Sequence, residues 1–168
     1  MRAPTLSGPL LLILSLFCFS FSFAQPALPL RTLTITVTQP IHFGSFCVTG
    51  GSGGTVTLGH DGNRSSTGEI ILLDVPPFAQ SAIFEIKLCL SRTVMFMFDP
   101  PVIQLTGTGG SLSLQLGPTD KGVSGSSFLI NGDCNFVTTL RVGGTLTTIG
   151  SPLPGSYSGN FGINFIQQ

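Results

Sequence analysis

Apolar and polar residues alternate in several short stretches of the chain, and this alternation predicts β-strands. The clearest stretch begins at Thr32 and ends at Thr38, with Leu33, Ile35 and Val37 on one face and threonines on the other. A period of two residues is typical of a strand with one buried and one solvated face. Similar stretches predict further strands at residues 82–90, 111–116 and 157–166.

The longest pattern, at residues 53–73, predicts a hairpin around which the rest of the fold is organised. Hydroxyl-bearing and apolar residues alternate at 55–59, which predicts an amphipathic strand. The His-Asp-Gly-Asn sequence at 60–63 suits a tight reversal, and the polar residues at 64–67 extend this turn. The continuous apolar run at 70–73 predicts a second, more deeply buried strand.

Pairs of glycines recur along the chain, and each pair precedes alternating hydroxyl-bearing and apolar residues. The pairs are Gly53 with Gly54, Gly109 with Gly110, and Gly143 with Gly144. Glycine within a strand pattern indicates a turn or an interruption. The last pair is therefore predicted to separate a strand at 136–142 from another at 145–149.

About eight to ten short strands, separated by glycine- and proline-containing turns, predict an all-β fold. No stretch after residue 24 has helical periodicity, which argues against a parallel α/β sheet. Strands with hydroxyl groups on one face favour an antiparallel β-sandwich. Residues 32–168 are predicted to form this single domain, after a signal peptide at 1–24 and an extended leader at 25–31.

The beginning of the chain has the pattern of a secretory signal peptide. An apolar stretch at 10–23 precedes small residues, which predicts cleavage between Ala24 and Gln25. The apolar run is shorter than the roughly 20 residues that cross a bilayer of about 30 Å. We therefore expect no membrane span after cleavage, and a protein that is secreted, periplasmic or displayed on the cell surface.

Charged residues are few and balanced. The 168 residues include seven basic and seven acidic side chains, for a net charge of zero. Proteins that bind nucleic acid usually carry a basic patch, and none is evident in this sequence. No nucleic-acid partner is expected.

Three cysteines, Cys47, Cys89 and Cys134, remain after removal of the signal peptide. Disulfides persist in the compartments of secreted proteins, and an odd number permits one intramolecular bridge with one thiol left over. Three pairings are open. The polar position of Cys89 near a strand end, and of Cys134 in a loop, favours a Cys89–Cys134 disulfide. Cys47, between Phe46 and Val48, is then expected to be a buried free thiol.

Six short motifs follow one another through the predicted domain. They are FGSF, GGTVT, RSSTG, GGSL, VGGTL and PGSYSGNF, beginning at residues 43, 53, 64, 109, 142 and 154. In this order they resemble a bacterial family of secreted proteins known as domain of unknown function 4402, over residues 33–168. The resemblance implies an immunoglobulin-like β-sandwich of the bacterial envelope, somewhat like pilus subunits. It implies no catalytic residue.

The polar residues of the predicted turn do not form a convincing catalytic group. His60, Asp61, Ser65 and Ser66 lie too close together on one turn to act easily as nucleophile, base and orienting group. His60 and Asp61 alone are too few ligands for zinc or calcium. We therefore expect no enzyme activity, metal or cofactor. Arg64 is expected to tie the turn to a backbone carbonyl or to Asp61.

These observations predict a structural or interaction role at the cell surface, as a pilus-like or adhesin-like subunit. A carbohydrate-binding module is the alternative, although sugar platforms use exposed aromatic rings and the chain has no Trp and one Tyr, Tyr157. The segment from Thr32 to Thr38 has the alternation needed to add a strand to another copy. Pairing within its own domain is the favoured interpretation, because strands close in sequence usually pair locally.

Overall fold

The computed structural model describes residues 32–89 and 91–168, which contain strands and no helix. The predicted all-β antiparallel fold is confirmed, because the paired strands of these residues are antiparallel. The predicted signal peptide, its Ala24–Gln25 cleavage site and the leader at 25–31 lie outside the described residues. The strands are β1 (Thr34–Gln39), β2 (His42–Phe43), β3 (Phe46–Val48), β4 (Gly53–Leu58), β5 (Arg64–Gly68), β6 (Ile70–Leu72), β7 (Ala79–Gln80), β8 (Ala82–Lys87), β9 (Arg92–Phe98), β10 (Val102–Gly107), β11 (Gly110–Thr119), β12 (Ser127–Ile130), β13 (Thr138–Ile149), β14 (Tyr157–Ser158) and β15 (Ile163–Gln167).

The largest sheet is built around β13. Its strand order is β1-β8-β13-β11-β10-β14, and β4 with β5 branches from β13. One edge of β13 pairs along its whole length with two successive partners, first β8 at residues 138–142 and then β4 at residues 144–149. The other edge pairs with β11. β13 therefore joins the two halves of the sheet.

Three smaller sheets, β12-β9-β15, β2-β7 and β3-β6, pack with the large sheet around one core. The core includes Phe43 of β2, Phe96 of β9 and Ile130 of β12, together with Leu58 and Leu140 of the large sheet. Their burial follows the alternation of apolar residues along each strand. The arrangement is sandwich-like, with one apolar core shared by the sheets.

The predicted long hairpin at 53–73 is wrong in two respects. The polar residues 64–67 are not a turn, because they belong to β5, which pairs with β4. The run at 70–73 is not deeply buried, since Ile71 is exposed and β6 pairs with β3 instead. Gly68 has a φ of 72° at the end of β5, so the chain turns away from β4 before β6 begins.

Two predicted strand boundaries also differ from the structure. Gly143 and Gly144 do not separate two strands, since both lie inside the continuous β13. A Cβ atom at Gly143 would approach the backbone of Leu58 and lie 3.0 Å from the backbone nitrogen of His60, so close packing explains this glycine. The predicted strand at 157–166 is divided between β14 and β15, which belong to different sheets.

The first strand, β1, is an edge strand that pairs with β8 of its own chain. Its apolar face is poorly covered: Ile35 is 39% and Val37 60% exposed. Both side chains lie on the core side of the sheet, because Ile35 is opposite the buried Ile86 and Val37 is opposite the buried Phe84. An edge strand has packing neighbours on one side only, and here the apolar face is left open to solvent.

Candidate functional site

A cleft of about 690 Å3 opens between two layers of the domain. Its floor consists of apolar side chains at alternating positions of β10, β11 and β13, which are the core-facing positions of the large sheet. These floor residues are Ile103, Leu105, Leu112, Leu114 and Leu146. A cleft of this volume is within the range of sites that hold small ligands or peptide side chains.

One wall of the cleft is the segment 41–48, which contains β2 and β3. All eight consecutive residues of this segment contact the cleft, not only alternate ones. Consecutive contacts mean that the cleft runs along the edge of these strands. Among residues 32–89 and 91–168, β2 pairs with β7 alone and β3 with β6 alone, so their other edges have no strand partner.

Arg64 holds this wall in place. One guanidinium nitrogen, Nη1, donates hydrogen bonds to the carbonyls of Phe43 and Ser45, at 2.8 and 3.0 Å. The other nitrogen, Nη2, donates to the carbonyl of Leu73 at 2.9 Å. The charged fork therefore ties β5 to the bend between β2 and β3. Arg64 was expected to bond a backbone carbonyl or Asp61, and carbonyls are its partners in the structure.

The bend itself depends on Gly44, which separates β2 from β3. Gly44 has a φ of 73°, a conformation that glycine adopts without steric cost. Its N–H donates to Nδ1 of His42 at 2.8 Å. The bend and the Arg64 fork together define the shape of the wall.

The opposite wall is formed by residues 151–159 with Phe161. Tyr157 is half-buried, and its hydroxyl donates to the carbonyl of Leu153 at 2.7 Å. The Tyr157 hydroxyl therefore ties the 151–159 segment together, and only part of the half-buried ring is accessible to a sugar. Leu153 is 64% exposed at the rim.

No Asp, Glu, Lys or Arg is among the residues that border the cleft, and His42 is the basic side chain on its lining. An ionised ligand would lose hydration on entering and would meet no Asp, Glu, Lys or Arg side chain, which is unfavourable. The cleft therefore favours an uncharged and largely apolar occupant.

Cys47 lies in β3 on the rim of the cleft, and its predicted burial is wrong. The residue is a free cysteine and is exposed. Phe46 and Val48 pack against the core from the alternate positions of the same strand. Because side chains alternate between faces, the two apolar neighbours place Cys47 on the outer face.

The predicted Cys89–Cys134 disulfide is confirmed. The two residues are bonded, with Cα atoms 4.3 Å apart and a sequence separation of 45 residues. The bridge joins the segment that follows β8 to the loop between β12 and β13. A disulfide of this kind is typical of chains that mature outside the reducing cytoplasm.

The polar residues at 60–66 are engaged in local structure. The Asp61 carboxylate accepts hydrogen bonds from the backbone N–H and the side-chain amide of Asn63. The backbone N–H bond lowers the pKa of Asp61 below its ordinary value. The Ser66 hydroxyl donates to the carbonyl of Ile70 at 3.1 Å, and Ser65 lies opposite Thr57 in the β4–β5 pair.

The glycine pair at the start of β4 lies beside the end of β13. Gly53 is opposite Ile149, and Gly54 is opposite Thr148. The buried Thr148 hydroxyl accepts a hydrogen bond from the Gly54 N–H at 2.9 Å and donates to the Gly54 carbonyl at 3.2 Å. These glycines serve strand packing and do not border the cleft.

Two further properties of residues 32–89 and 91–168 bear on function, namely metal binding and membrane spanning. Within these ranges, no group of three or more His, Cys, Asp or Glu side chains is placed to hold a metal ion. The same residues include no helix long and apolar enough to cross a membrane.

Sequence reasoning did not find the cleft. The residues of its floor were recognised only as parts of alternating strands, and the segment 41–48 only as a short strand bent at Gly44. The apolar residues of the wall predict a strand. They do not indicate whether the outer edge of that strand is paired. That property depends on which distant segments pair with it.

The sequence profile of a family described as Domain of unknown function (DUF4402) matches residues 33–166. This match covers most of the 168 residues, and the chain belongs to this family. Neither a curated protein nor a solved structure matches the chain.

Proposed function

We propose that this member of the DUF4402 family is a secreted or surface-exposed, non-enzymatic protein that assembles with other chains by adding β-strands. The observation that carries the proposal is the combination of an apolar floor with a wall made of an unpaired strand edge, at residues 41–48. The Gly44 N–H and the carbonyls of Phe43 and Ser45 are already bonded. The remaining edge of β2 and β3 supplies backbone donors and acceptors, and the floor supplies pockets for alternate side chains. Together they are what β-strand addition requires.

The proposed place of action is outside the cytoplasm, in the periplasm or at the cell surface. The Cys89–Cys134 bond supports an oxidising compartment. The predicted cleavage between Ala24 and Gln25 supports export. An immunoglobulin-like sandwich, as in pilus-like or adhesin-like subunits, is the form of the fold that we propose.

The non-enzymatic part of the proposal is supported by the local roles of the polar side chains at 60–66. Asp61 bonds Asn63, and Ser66 bonds the Ile70 carbonyl. Neither arrangement aligns a nucleophile with a base. Hydrolase profiling of the purified protein, with and without divalent metals, should therefore detect no turnover. Turnover that disappears in His60→Ala would contradict this expectation.

Assembly is tested by native mass measurement together with localisation. Protein purified from the oxidising compartment should give a series of oligomers whose population rises with concentration, and intact cells should expose it to surface labelling. A protein that stays monomeric at all concentrations would contradict the assembly proposal. A glycan array tests the carbohydrate-binding alternative. Saturable glycan binding that is lost in Tyr157→Ala would favour that alternative.

A further inference from the structure

We infer that the occupant of the cleft is strand β1 of a second copy of this chain. The inference rests on the proposed assembly function, and it names the donor segment and the acceptor site. Three observations on β1 support it, concerning its exposed apolar face, its lack of charge and its length.

The apolar face of β1 is not fully covered by its own domain. Ile35 and Val37 remain 39% and 60% exposed, although they lie on the core side of the sheet. They alternate with threonines, so in an extended conformation both side chains point the same way. The floor of the cleft presents apolar side chains at alternating strand positions, which suits such a face.

The charge and the length of β1 also fit the cleft. No Asp, Glu, Lys or Arg occurs from Thr32 to Gln39, and none borders the cleft. β1 has six residues, about 20 Å at roughly 3.3 Å per residue, whereas the wall contains the two residues of β2 and the three residues of β3 on either side of the bend at Gly44. β1 is therefore long enough to pair with the free edge of β2 or of β3.

The cost of releasing β1 from its own domain is limited by its position. Within residues 32–89 and 91–168, β1 pairs with β8 alone, at the margin of the large sheet. Pro40 follows the strand and fixes its own φ, so β1 and β2 are separate extended segments joined by a short link. If β1 inserts into the cleft of the second copy, its pairing with β8 is replaced by pairing with that copy. Ile35 and Val37 are then covered.

Cys47 provides a direct test of this arrangement. It is exposed on the outer face of the wall strand, and the threonines of β1 would lie on the same outer face if Ile35 and Val37 point to the floor. Thr34→Cys, Thr36→Cys and Thr38→Cys should be made singly, because the register of the added strand is open. At least one variant should form disulfide-linked dimers in oxidising conditions, and the link should be lost when Cys47→Ser is added.

The matched control is Ser127→Cys, an exposed hydroxyl-bearing residue of β12 that does not border the cleft. This variant should give little cross-linking to Cys47. Equal cross-linking by Ser127→Cys, or no cross-linking to Cys47 by any of the three β1 variants, would overturn the inference.

A mixing experiment tests donor and acceptor separately. Val37→Asp should disable the donor strand, and Leu153→Asp should disable the rim of the acceptor cleft. Both side chains are exposed, at 60% and 64%, so each variant should fold, as checked by its thermal unfolding. Each variant alone should lose oligomers, whereas an equimolar mixture should recover dimers containing one copy of each.

The outcomes separate this inference from the proposed function. Oligomers that persist in both variants would overturn the role of β1 and the cleft. The proposal that the protein assembles would still hold. A wild-type protein without oligomers would overturn assembly itself. A monomer that carries a small apolar molecule by native mass, and that loses it in Leu153→Asp, would show another occupant and overturn the inference.

Discussion

Val37 on β1 and Phe84 on β8 lie directly opposite each other in adjacent antiparallel strands, but Val37 is 60% exposed and Phe84 only 7%. Phe84 also packs edge-on against Phe161, with ring centroids 6.1 Å apart. Two apolar residues on the same face of one sheet therefore differ in burial. The difference arises because β8 has strands on both sides and β1 has a strand on one side.

The two positions should differ strongly in their effect on stability. Val37→Thr should change the free energy of unfolding of the monomer by no more than about 0.5 kcal/mol, as for most surface substitutions. Phe84→Ala should cost about 3–5 kcal/mol, because it removes buried surface and leaves a cavity. Urea unfolding below the concentration of assembly measures both values. A large loss for Val37→Thr would mean that β1 is covered in the monomer.

Arg64→Lys should destabilise the domain although the charge is kept. The guanidinium bonds three carbonyls from two nitrogens, and an ammonium group cannot reproduce this fork. We expect a loss of about 1–3 kcal/mol in the free energy of unfolding, since charged hydrogen bonds to the wall are lost. The exposed Arg141 is the control, and Arg141→Lys should be close to neutral. Equal losses of stability in Arg64→Lys and Arg141→Lys would contradict the special role of Arg64.

Gly143→Ala should be costly because the added methyl group meets backbone atoms. The new Cβ would crowd Leu58 and lie 3.0 Å from the backbone nitrogen of His60. Overpacking of this kind costs about 1–3 kcal/mol. Gly51→Ala is the matched control, because its Cβ would enter open space. Thermal unfolding compares the two variants, and a Gly143→Ala protein as stable as Gly51→Ala would show that the strands can separate at this point.

Removal of the disulfide should weaken the domain without changing its strands. The Cys89→Ser, Cys134→Ser double variant frees a loop with a separation of 45 residues, and the chain-entropy model gives about 4 kcal/mol for such a loop. The free energy of unfolding should therefore fall by about 2–4 kcal/mol, with a β-type circular dichroism spectrum retained. Cys47→Ser is the control and should have little effect. An unchanged midpoint in the double variant would contradict the prediction.

Asp61 should titrate below its ordinary value of 3.8, because the Asn63 N–H bonds its carboxylate. A pKa that is lowered in the folded state makes a stabilising contribution above the unfolded pKa, and this contribution is lost as the pH falls through the folded pKa. NMR titration of the Asp61 carboxylate measures the midpoint directly. Asp61→Asn should lack this acid-dependent part of the stability. A midpoint at or above the ordinary value would show that the Asn63 bond does not form in solution.

The sequence alone was sufficient for the local properties of this protein. Period-two alternation predicted β8 and β11, since burial in a strand depends on residue spacing. The polar settings of Cys89 and Cys134 favoured the bridge that the structure contains. The ordered motifs indicated the family that the match over residues 33–166 establishes.

The tertiary structure decided which strands pair, and therefore which apolar residues are covered. β6 pairs with β3 instead of continuing the β4–β5 pair, and Gly143 lies inside β13 because the backbone at residues 58–60 passes against it. Val37 has a sequence setting typical of a buried residue but is exposed in an edge strand. Cys47 lies between two apolar residues but is exposed on the outer face of β3. The cleft also results from the way in which distant strands pair. Its floor and walls come from segments up to 120 residues apart, from Ile41 to Phe161. Whether an edge is left unpaired depends on contacts that no local pattern specifies.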